Sequence, residues 1–249
     1  MGPGDLEIWS NHFEYHAAHP GNVAQDVSDR LTRGEMRLIA GSIATAQLGR
    51  AAAGPDLLST AERFAQAKRI PHLAGIVELL VHEELRHASL LCAFMRDHWI
   101  PLKKSGWRSR LFGQMRWPGR LDQQLTVLIS AELIGIVYYR ALESVTDCQR
   151  LRLLCRIIVS DKLAHVGFGS EVLAMLRAGR AEPYRVFTRP AQRIVFACTA
   201  LTVWLSHRSV LRGAGHTARS FLRCCLAQHD FYRGPTQVRS APEFDLDAS

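Results

Sequence analysis

The sequence lacks paired-cysteine motifs, hairpin signals and long apolar runs, and each absence excludes a class of protein. Its six cysteines form no Cys-x-x-Cys pair, so we expect free thiols in a reducing cytoplasm, without a disulfide framework or zinc knuckle. No Asn-Gly or Asp-Gly dipeptide indicates a β-hairpin. No basic segment followed by an apolar run resembles a signal peptide. The longest apolar run, 194–205, is too short to cross a bilayer and predicts a buried helix.

The composition indicates a single core and a basic surface. With 249 residues, of which 47% are hydrophobic, the chain can bury one substantial core. A formal net charge of +8 raises the question of nucleic acid, membrane or acidic partners. The segment 103–120 is the candidate: basic residues alternate there with Trp107, Phe112, Met115 and Trp117. An amphipathic basic helix for anionic lipid or nucleic acid is one interpretation, and a crossover between helices is the favoured one.

Apolar residues recur at helical spacing along nearly the whole chain, which predicts an all-α protein. We expect a lead-in segment over 1–32, a helical domain over 33–233 and a flexible tail over 234–249. The domain divides into a core over 33–178 and extra helices over 190–229. Within it, helices are predicted over 33–53 and 59–69, from Pro71 through Phe94 before a connector that begins at Pro101, and over 121–146, 147–178, 190–211 and 216–229.

Ionisable residues interrupt the apolar faces of the core helices. Glu84 and His87 continue the stripe that contains Leu80, Glu132 lies within the third helix of the core, and His165 lies within the fourth. Burying an unpaired charge costs several kcal/mol, so such residues are expected to meet one another or a shared ligand. The plainer alternatives are that the glutamates face solvent and that the histidines are hydrogen-bonded core residues.

Five segments resemble the ferritin-like di-iron carboxylate oxygenases, the group that includes p-aminobenzoate N-oxygenase and the ribonucleotide reductase small subunit. The resemblance implies a ferritin-like four-helix bundle with additional C-terminal helices. The segments are SIATAQLGR (42–50), HEELRHASLL (82–91), SAELIGIVYYR (130–140), SDKLAHVGFGSE (160–171) and, further on, WLSHRSVLRGAG (204–215).

The resemblance also implies a ligand set, which this sequence matches only in part. The family has a glutamate on the first helix, Glu-x-x-His on the second, a glutamate on the third and Glu-x-x-His on the fourth. The matching positions here are Glu84, His87, Glu132 and His165, with Asp161 as the residue that hydrogen-bonds a ligand histidine. Two positions depart from the pattern, because the first-helix and fourth-helix glutamates are replaced by Arg50 and Lys162.

The two basic residues change the charge of the expected metal site. Glu84 and Glu132 are balanced by Arg50 and Lys162 without any metal, so two divalent ions would add about four positive charges to a buried site. We therefore favour a site without metal, held by buried ion pairs. One iron or manganese ion, bound by Glu132 and His165 with a rotated Asp161 and a neutral Lys162, is the alternative.

The favoured function is a ferritin-like oxidoreductase-type protein that acts on an unknown small molecule without a normal di-iron centre. The alternatives are a non-catalytic interaction protein and a mono-metal or di-iron oxygenase. The apolar fifth helix could also pair two copies as a homodimer. The candidate catalytic residues are Arg50, Glu84, Glu132, Lys162 and Tyr139, the last on the same helix face as Glu132.

Overall fold

The structure is a computed structural model that describes residues 3–19, 29–50, 55–103, 120–178 and 182–232. Of residues 3, 4, 50, 55 and 182–191 it describes the backbone alone. The described residues form helices and connecting segments without any strand, which confirms the all-α prediction. The helices are α1 (Pro3–Ala18), α2 (Arg33–Arg50), α3 (Pro55–Lys68), α4 (Leu73–Asp97), α5 (Leu121–Ser144), α6 (Gln149–Arg177), α7 (Glu182–Ser206), α8 (Arg208–Gly213) and α9 (Ala218–Phe231).

Helices α4, α5 and α6 form the centre of the fold. Helix α5 and α6 pack against each other as an antiparallel pair joined by the short turn at 145–148, and α4 packs against α1, α2 and α3. The predicted apolar stripes face inward, as the almost complete burial of Leu80, Leu91, Leu125 and Ile158 shows. Among the described helices, α5 alone is long and apolar enough to span a membrane, and most of that apolar stretch is buried within the protein, as in a core helix.

Helix α2 is attached to the turn between α5 and α6 by its first residues. Thr32 and Glu35 form a capping box: the Thr32 amide donates to Glu35 Oε2 at 2.8 Å and the Glu35 amide donates to Thr32 Oγ1 at 3.2 Å. Glu35 Oε1 accepts hydrogen bonds of 2.8 Å from Thr146 Oγ1 and from the Asp147 amide. The start of α2 therefore lies beside the end of α5, and the two helices run antiparallel.

Helix α1 is the main difference from the predicted organisation. The sequence predicts only a lead-in segment over 1–32, whereas α1 packs along α4 and buries Leu6, Trp9 and Phe13. Trp9 Nε1 donates to Glu171 Oε2 at 3.0 Å, and the Trp9 ring lies so close to Gly167 that a Cβ there would be 3.0 Å from it. The apolar residues of α1 make it part of the core.

Several predicted helix boundaries also differ from the observed ones, and the helix predicted over 59–69 begins earlier, at Pro55. Helix α4 begins at Leu73 and not at Pro71, because His72 has φ 68°, outside the helical region. The predicted helix 190–211 begins earlier, at Glu182, and is interrupted at His207, whose φ of −119° separates α7 from α8. The predicted tail at 234–249 lies outside the described residues.

A buried cluster of neutral polar groups joins α2, α5 and the α7–α8 junction. Its members, Ser42, Tyr138 and His207, are called the hydroxyl–histidine cluster below. Ser42 Oγ lies 2.9 Å from Tyr138 Oη and 2.8 Å from His207 Nδ1. Burial, and the positive charge of nearby Lys103, lower the pKa of His207 to about 3, so this imidazole is neutral at physiological pH.

Candidate functional site

The structure brings together the polar residues that the sequence predicts to meet. Glu84 and His87 come from α4, Glu132 from α5, and Lys162 and His165 from α6, and each is at least nine-tenths buried. We call these five residues the charged centre. The alternative of solvent-facing glutamates is thereby excluded. Ligand atoms of Glu84, Glu132 and His165 all lie within 4.8 Å of one another, which is a spacing that a cation could bridge.

The ammonium group of Lys162 already lies among those ligand atoms. It donates to Glu132 Oε2 in a very short contact and lies 3.5 Å from Glu84 Oε1. These are the buried ion pairs that the sequence predicts for Lys162. While Lys162 is protonated, its ammonium group occupies the position between Glu132 and Glu84 where a metal ion would bind, so the residues do not fit the di-metal centre of the resembling family.

A glycine on α5 makes room for the lysine. Gly135 lies one turn after Glu132, and a Cβ built on it would come within 3.0 Å of Lys162 Cε and 3.4 Å of Lys162 Nζ. The side chain of Lys162 therefore passes α5 at Gly135, because glycine has no side chain to occupy this space.

His165 is the imidazole at the middle of the charged centre. Its Nε2 lies 2.8 Å from Glu83 Oε2, and its Nδ1 lies 3.7 Å from both Glu84 Oε1 and Glu132 Oε2. Burial opposes a charge on this ring, but the hydrogen bonds to Glu132 and Glu83 and the negative charges of Glu132 and Glu84 outweigh it and raise the pKa of His165 to about 9. His165 is therefore an imidazolium at neutral pH.

Glu132 is ionised for the complementary reason. Its burial and the neighbouring charge of Glu84 would raise its pKa, but Lys162 and His165 together lower it below the usual range of a glutamate. Removing Lys162 or His165 would leave this buried carboxylate with only one of its two neighbouring positive charges.

Two crossed hydrogen bonds hold the two histidines in matching positions. His87 Nε2 lies 2.7 Å from Asp161 Oδ2 on α6, and His165 Nε2 lies 2.8 Å from Glu83 Oε2 on α4. On each helix the histidine stands four positions after an acid: His87 after Glu83 on α4, and His165 after Asp161 on α6. Each histidine forms a hydrogen bond with the acid of the other helix. The Nδ1 atoms of both rings point toward Glu84, at 3.2 Å from His87 and 3.7 Å from His165. The predicted hydrogen bond between Asp161 and a histidine is present, with Asp161 as the acceptor.

Asp161 has additional partners at the edge of the site. Arg86 Nη2 donates to Asp161 Oδ2 at 2.7 Å, and His16 Nδ1 lies 3.7 Å from Asp161 Oδ1. Burial opposes ionisation of Asp161, but the hydrogen bonds from His16 and His87, together with the charge of Arg86, keep its pKa below the usual range of an aspartate. Asp161 thus connects the charged centre with α1.

Helix α1 covers one side of the centre with aromatic rings. The ring of Phe13 is stacked on His165, with centroids 5.8 Å apart and an interplanar angle of 20°, which suits an imidazolium. His16 Nδ1 lies 3.9 Å from Glu83 Oε1, and the nearby Asp161 carboxylate raises the pKa of His16. The ring of His12 lies 4.4 Å from that of His16, and burial and the charge of His16 lower the pKa of His12 to about 4.

The additional residues change the charge balance expected from the sequence. Glu83 and Asp161 join Glu84 and Glu132, whereas Arg86 joins Lys162 as a second cation. Four carboxylates against two basic side chains leave a formal charge of −2 when the histidines are neutral. Protonated histidines or one divalent ion could each balance it. The predicted neutrality counted Arg50, whose side chain lies outside the described residues, and did not count Glu83, Asp161 or Arg86, so it stays a prediction.

Three predicted residues or segments take no demonstrated part in the centre. Tyr139 is buried and makes a T-shaped ring contact with Tyr138; it lies two turns beyond Glu132 on α5, about 10 Å along the helix axis, so its proposed role stays a prediction. The side chain of Arg50 lies outside the described residues, although the antiparallel pairing of α2 and α5 puts its backbone level with residues 130–132.

The structure describes only the two ends of the basic connector over 103–120. Residues 104–119 lie outside the described residues, and Arg120 is exposed at the start of α5. Lys103 Nζ donates to the Gly41 carbonyl at 2.8 Å and lies close to Thr45 Oγ1, so this lysine is attached to α2.

Glu83, Arg86 and His16 are functional-site residues that sequence reasoning missed. The signal for Glu83 was present, because it stands before Glu84-x-x-His87 in the same way as Asp161 stands before Lys162-x-x-His165. His16 had no comparable signal in a segment predicted to be a lead-in.

The chain was compared with protein-family models, with curated proteins and with solved structures, and no match was found in any of them.

Proposed function

We propose that this chain is a ferritin-like protein of the oxidoreductase type, located in the cytoplasm, that acts on a small molecule without a di-iron centre. In it the ammonium of Lys162 takes the place of a metal cation. The observation that carries this proposal is the position of Lys162 Nζ between Glu132 Oε2 and Glu84 Oε1, the two oxygens that each lie 3.7 Å from His165 Nδ1. An organic cation thereby holds together side chains of α4, α5 and α6.

The crossed acid–histidine bonds support the ferritin-like assignment. A metal-binding histidine typically uses one ring nitrogen for the ion and donates the other to a carboxylate. His87 and His165 are arranged in this way, with Nε2 on Asp161 and Glu83 and with Nδ1 toward Glu84. The centre keeps the supporting hydrogen bonds of a metal site while one ligand position has become a cation.

Proton transfer is the chemistry that these side chains support by themselves. His165 carries a proton with a pKa near 9, and it lies between the carboxylates of Glu83 and Glu132. A buried imidazolium can donate its proton to a bound reactant, and the neutral imidazole that results can take a proton from the same molecule at a later step. The positive charge of Lys162 would stabilise negative charge that develops beside it.

The metal content of the purified protein tests this proposal. Protein from cells supplied with iron and manganese should contain at most one equivalent per chain, and two equivalents would contradict the proposal. The double variant Arg50→Glu, Lys162→Glu should bind two ions, because it restores both missing carboxylates. Lys68→Glu, which makes the same charge change on the exposed face of α3, is the control and should bind no more metal than the wild type.

A second candidate is a non-catalytic protein whose charged centre only stabilises the bundle, and which works through interactions. The burial of all five residues of the centre favours it, because a substrate would need a path to them. Thermal-shift screening with small oxidisable molecules would separate the two functions. A ligand that raises the melting temperature of the wild type but not of Lys162→Met supports the enzyme. If every ligand affects the two proteins equally, the result supports the structural role.

A further inference from the structure

A second group of ligand atoms lies beside the charged centre, where α1 meets α4 and α6. We propose that His16, Glu83 and Asp161 form a binding site for one divalent transition-metal ion, separate from the position of Lys162. Their three ligand atoms, His16 Nδ1, Glu83 Oε1 and Asp161 Oδ1, all lie within 4.8 Å of one another. This site goes beyond the proposed function, which concerns only the position between Glu84 and Glu132.

Both carboxylates are oriented for a ligand on the side of His16. Glu83 uses Oε2 for His165 and Asp161 uses Oδ2 for His87 and Arg86, so each acid is fixed by one oxygen and presents the other toward α1. This is the arrangement in which hydrogen bonds to one carboxylate oxygen orient the other toward a metal.

Glu83 Oε1 provides independent evidence for a missing ligand. The residue is only 5% exposed, and this oxygen has no hydrogen-bond partner among the described residues. A buried carboxylate oxygen without a hydrogen bond carries a desolvation cost of about 1–3 kcal/mol or more. A cation bound between Glu83 and His16 would remove that cost.

The distances suit a metal ion without movement of the backbone. His16 Nδ1 lies 3.9 Å from Glu83 Oε1 and 3.7 Å from Asp161 Oδ1. Two ligand atoms that are each about 2.1 Å from an ion can be at most about 4.2 Å apart. Side-chain shifts of a few tenths of an ångström would therefore complete the coordination.

The chemistry of the ligands and their exposure determine the kind of ion. One imidazole and two carboxylates favour Mn²⁺, Fe²⁺ or Zn²⁺ over Mg²⁺ and Ca²⁺, which prefer oxygen ligands alone. The His16 side chain is 25% exposed, in contrast to the almost inaccessible charged centre, so an ion and its water ligands can enter from this side.

Titration of the full-length, chelator-treated protein with Mn²⁺, followed by electron paramagnetic resonance, tests the site. The wild type should bind one equivalent, and Zn²⁺ should displace it more effectively than Mg²⁺. His16→Ala should weaken Mn²⁺ binding at least about tenfold. His19→Ala, on the exposed side just beyond the end of α1, should bind as the wild type does. Glu83→Gln provides a second test should His16→Ala not fold, as judged by circular dichroism.

The outcomes separate this inference from the proposed function. No Mn²⁺ binding by the folded wild type overturns the site and leaves the role of Lys162 intact. Binding of one equivalent that both His16→Ala and Glu83→Gln retain also overturns it. If such binding is then lost in Glu132→Gln, the ion lies between Glu84 and Glu132, and the proposed replacement of a metal by Lys162 fails as well.

Discussion

The bundle contains two buried histidines with opposite protonation. His165 lies among carboxylates in the charged centre, and its pKa is raised to about 9. His207 lies among hydroxyl groups in the hydroxyl–histidine cluster, and its pKa is lowered to about 3. Both rings are at least nine-tenths buried, so burial alone does not account for the difference.

The comparison shows that the charges next to a buried imidazole determine whether the ring loses or keeps its proton. Desolvation lowers the pKa of both rings, and around His207 no carboxylate within the described part of the chain opposes it, while the charge of Lys103 adds to it. Around His165, Glu132 and Glu83 reverse the effect. One region is therefore held by neutral hydrogen bonds and the other by charges that must remain balanced.

Removing the charge of Lys162 should break the charged centre most severely. Lys162→Met keeps most of the length of the side chain but leaves Glu132 and Glu84 buried without the cation. We expect the free energy of unfolding to fall by about 3–5 kcal/mol, because one partner of a buried ion pair is lost. Urea unfolding with chelator present measures it, with Lys68→Met as the exposed control. A loss under about 1 kcal/mol would mean that the centre is not held by this pair.

The dependence of stability on pH should distinguish the two histidines. The raised pKa of His165 contributes stability that is complete below pH 6.5 and is lost as the pH rises toward about 9. The full shift corresponds to about 3 kcal/mol. The lowered pKa of His207 contributes stability that is present above pH 6.5 and is lost as the pH falls toward about 3. Stability should therefore be greatest near neutral pH.

Single substitutions assign the two sides of this pH profile. In urea unfolding across the pH range, His165→Gln should flatten the alkaline side, although His16, whose pKa is also raised, should keep a smaller slope. His207→Gln should reduce the slope on the acidic side, where His12, Glu132 and Asp161, whose pKa values are also lowered, keep the remainder. An alkaline slope that is the same in wild type and His165→Gln would contradict the protonation of His165.

The smallest effect tests the space that Gly135 provides. Replacing a glycine by alanine within a helix ordinarily stabilises it by about 1 kcal/mol. Gly41→Ala on α2 should show this gain, because nothing lies within 4 Å of its new Cβ. Gly135→Ala should lose the gain or become destabilising, since its Cβ would crowd Lys162. In the Lys162→Ala background the two glycine substitutions should have similar effects, and thermal unfolding of the four variants checks this.

Much of the centre was predictable because it depends on local helical spacing. The steps of three and four residues put Glu84 and His87 on the buried face of α4, and they put Lys162 and His165 on the buried face of α6. The same periodicity predicts the all-α class and most helix boundaries. Charged residues within an apolar stripe could therefore be expected to meet.

The rest depends on contacts between segments that are distant in the sequence. Glu83 would be on a less buried face of α4 if α1 did not cover it, and the position of α1 depends on Trp9 and Phe13 meeting α6. The fit of Lys162 against Gly135 likewise appears only when α5 and α6 are packed. Periodicity within one helix contains no information about such pairings.

The contact of α1 with α6 has a consequence for the order of events during synthesis. Trp9 and its partner Glu171 are 162 residues apart, so α1 leaves the ribosome roughly 10–30 s before the segment that it covers. Until α6 has been synthesised, Glu83 and His87 lack the contact with Asp161, and Phe13 is not yet packed beside them. The charged centre is therefore assembled late, and cellular cations have access to its first half before its second half is made.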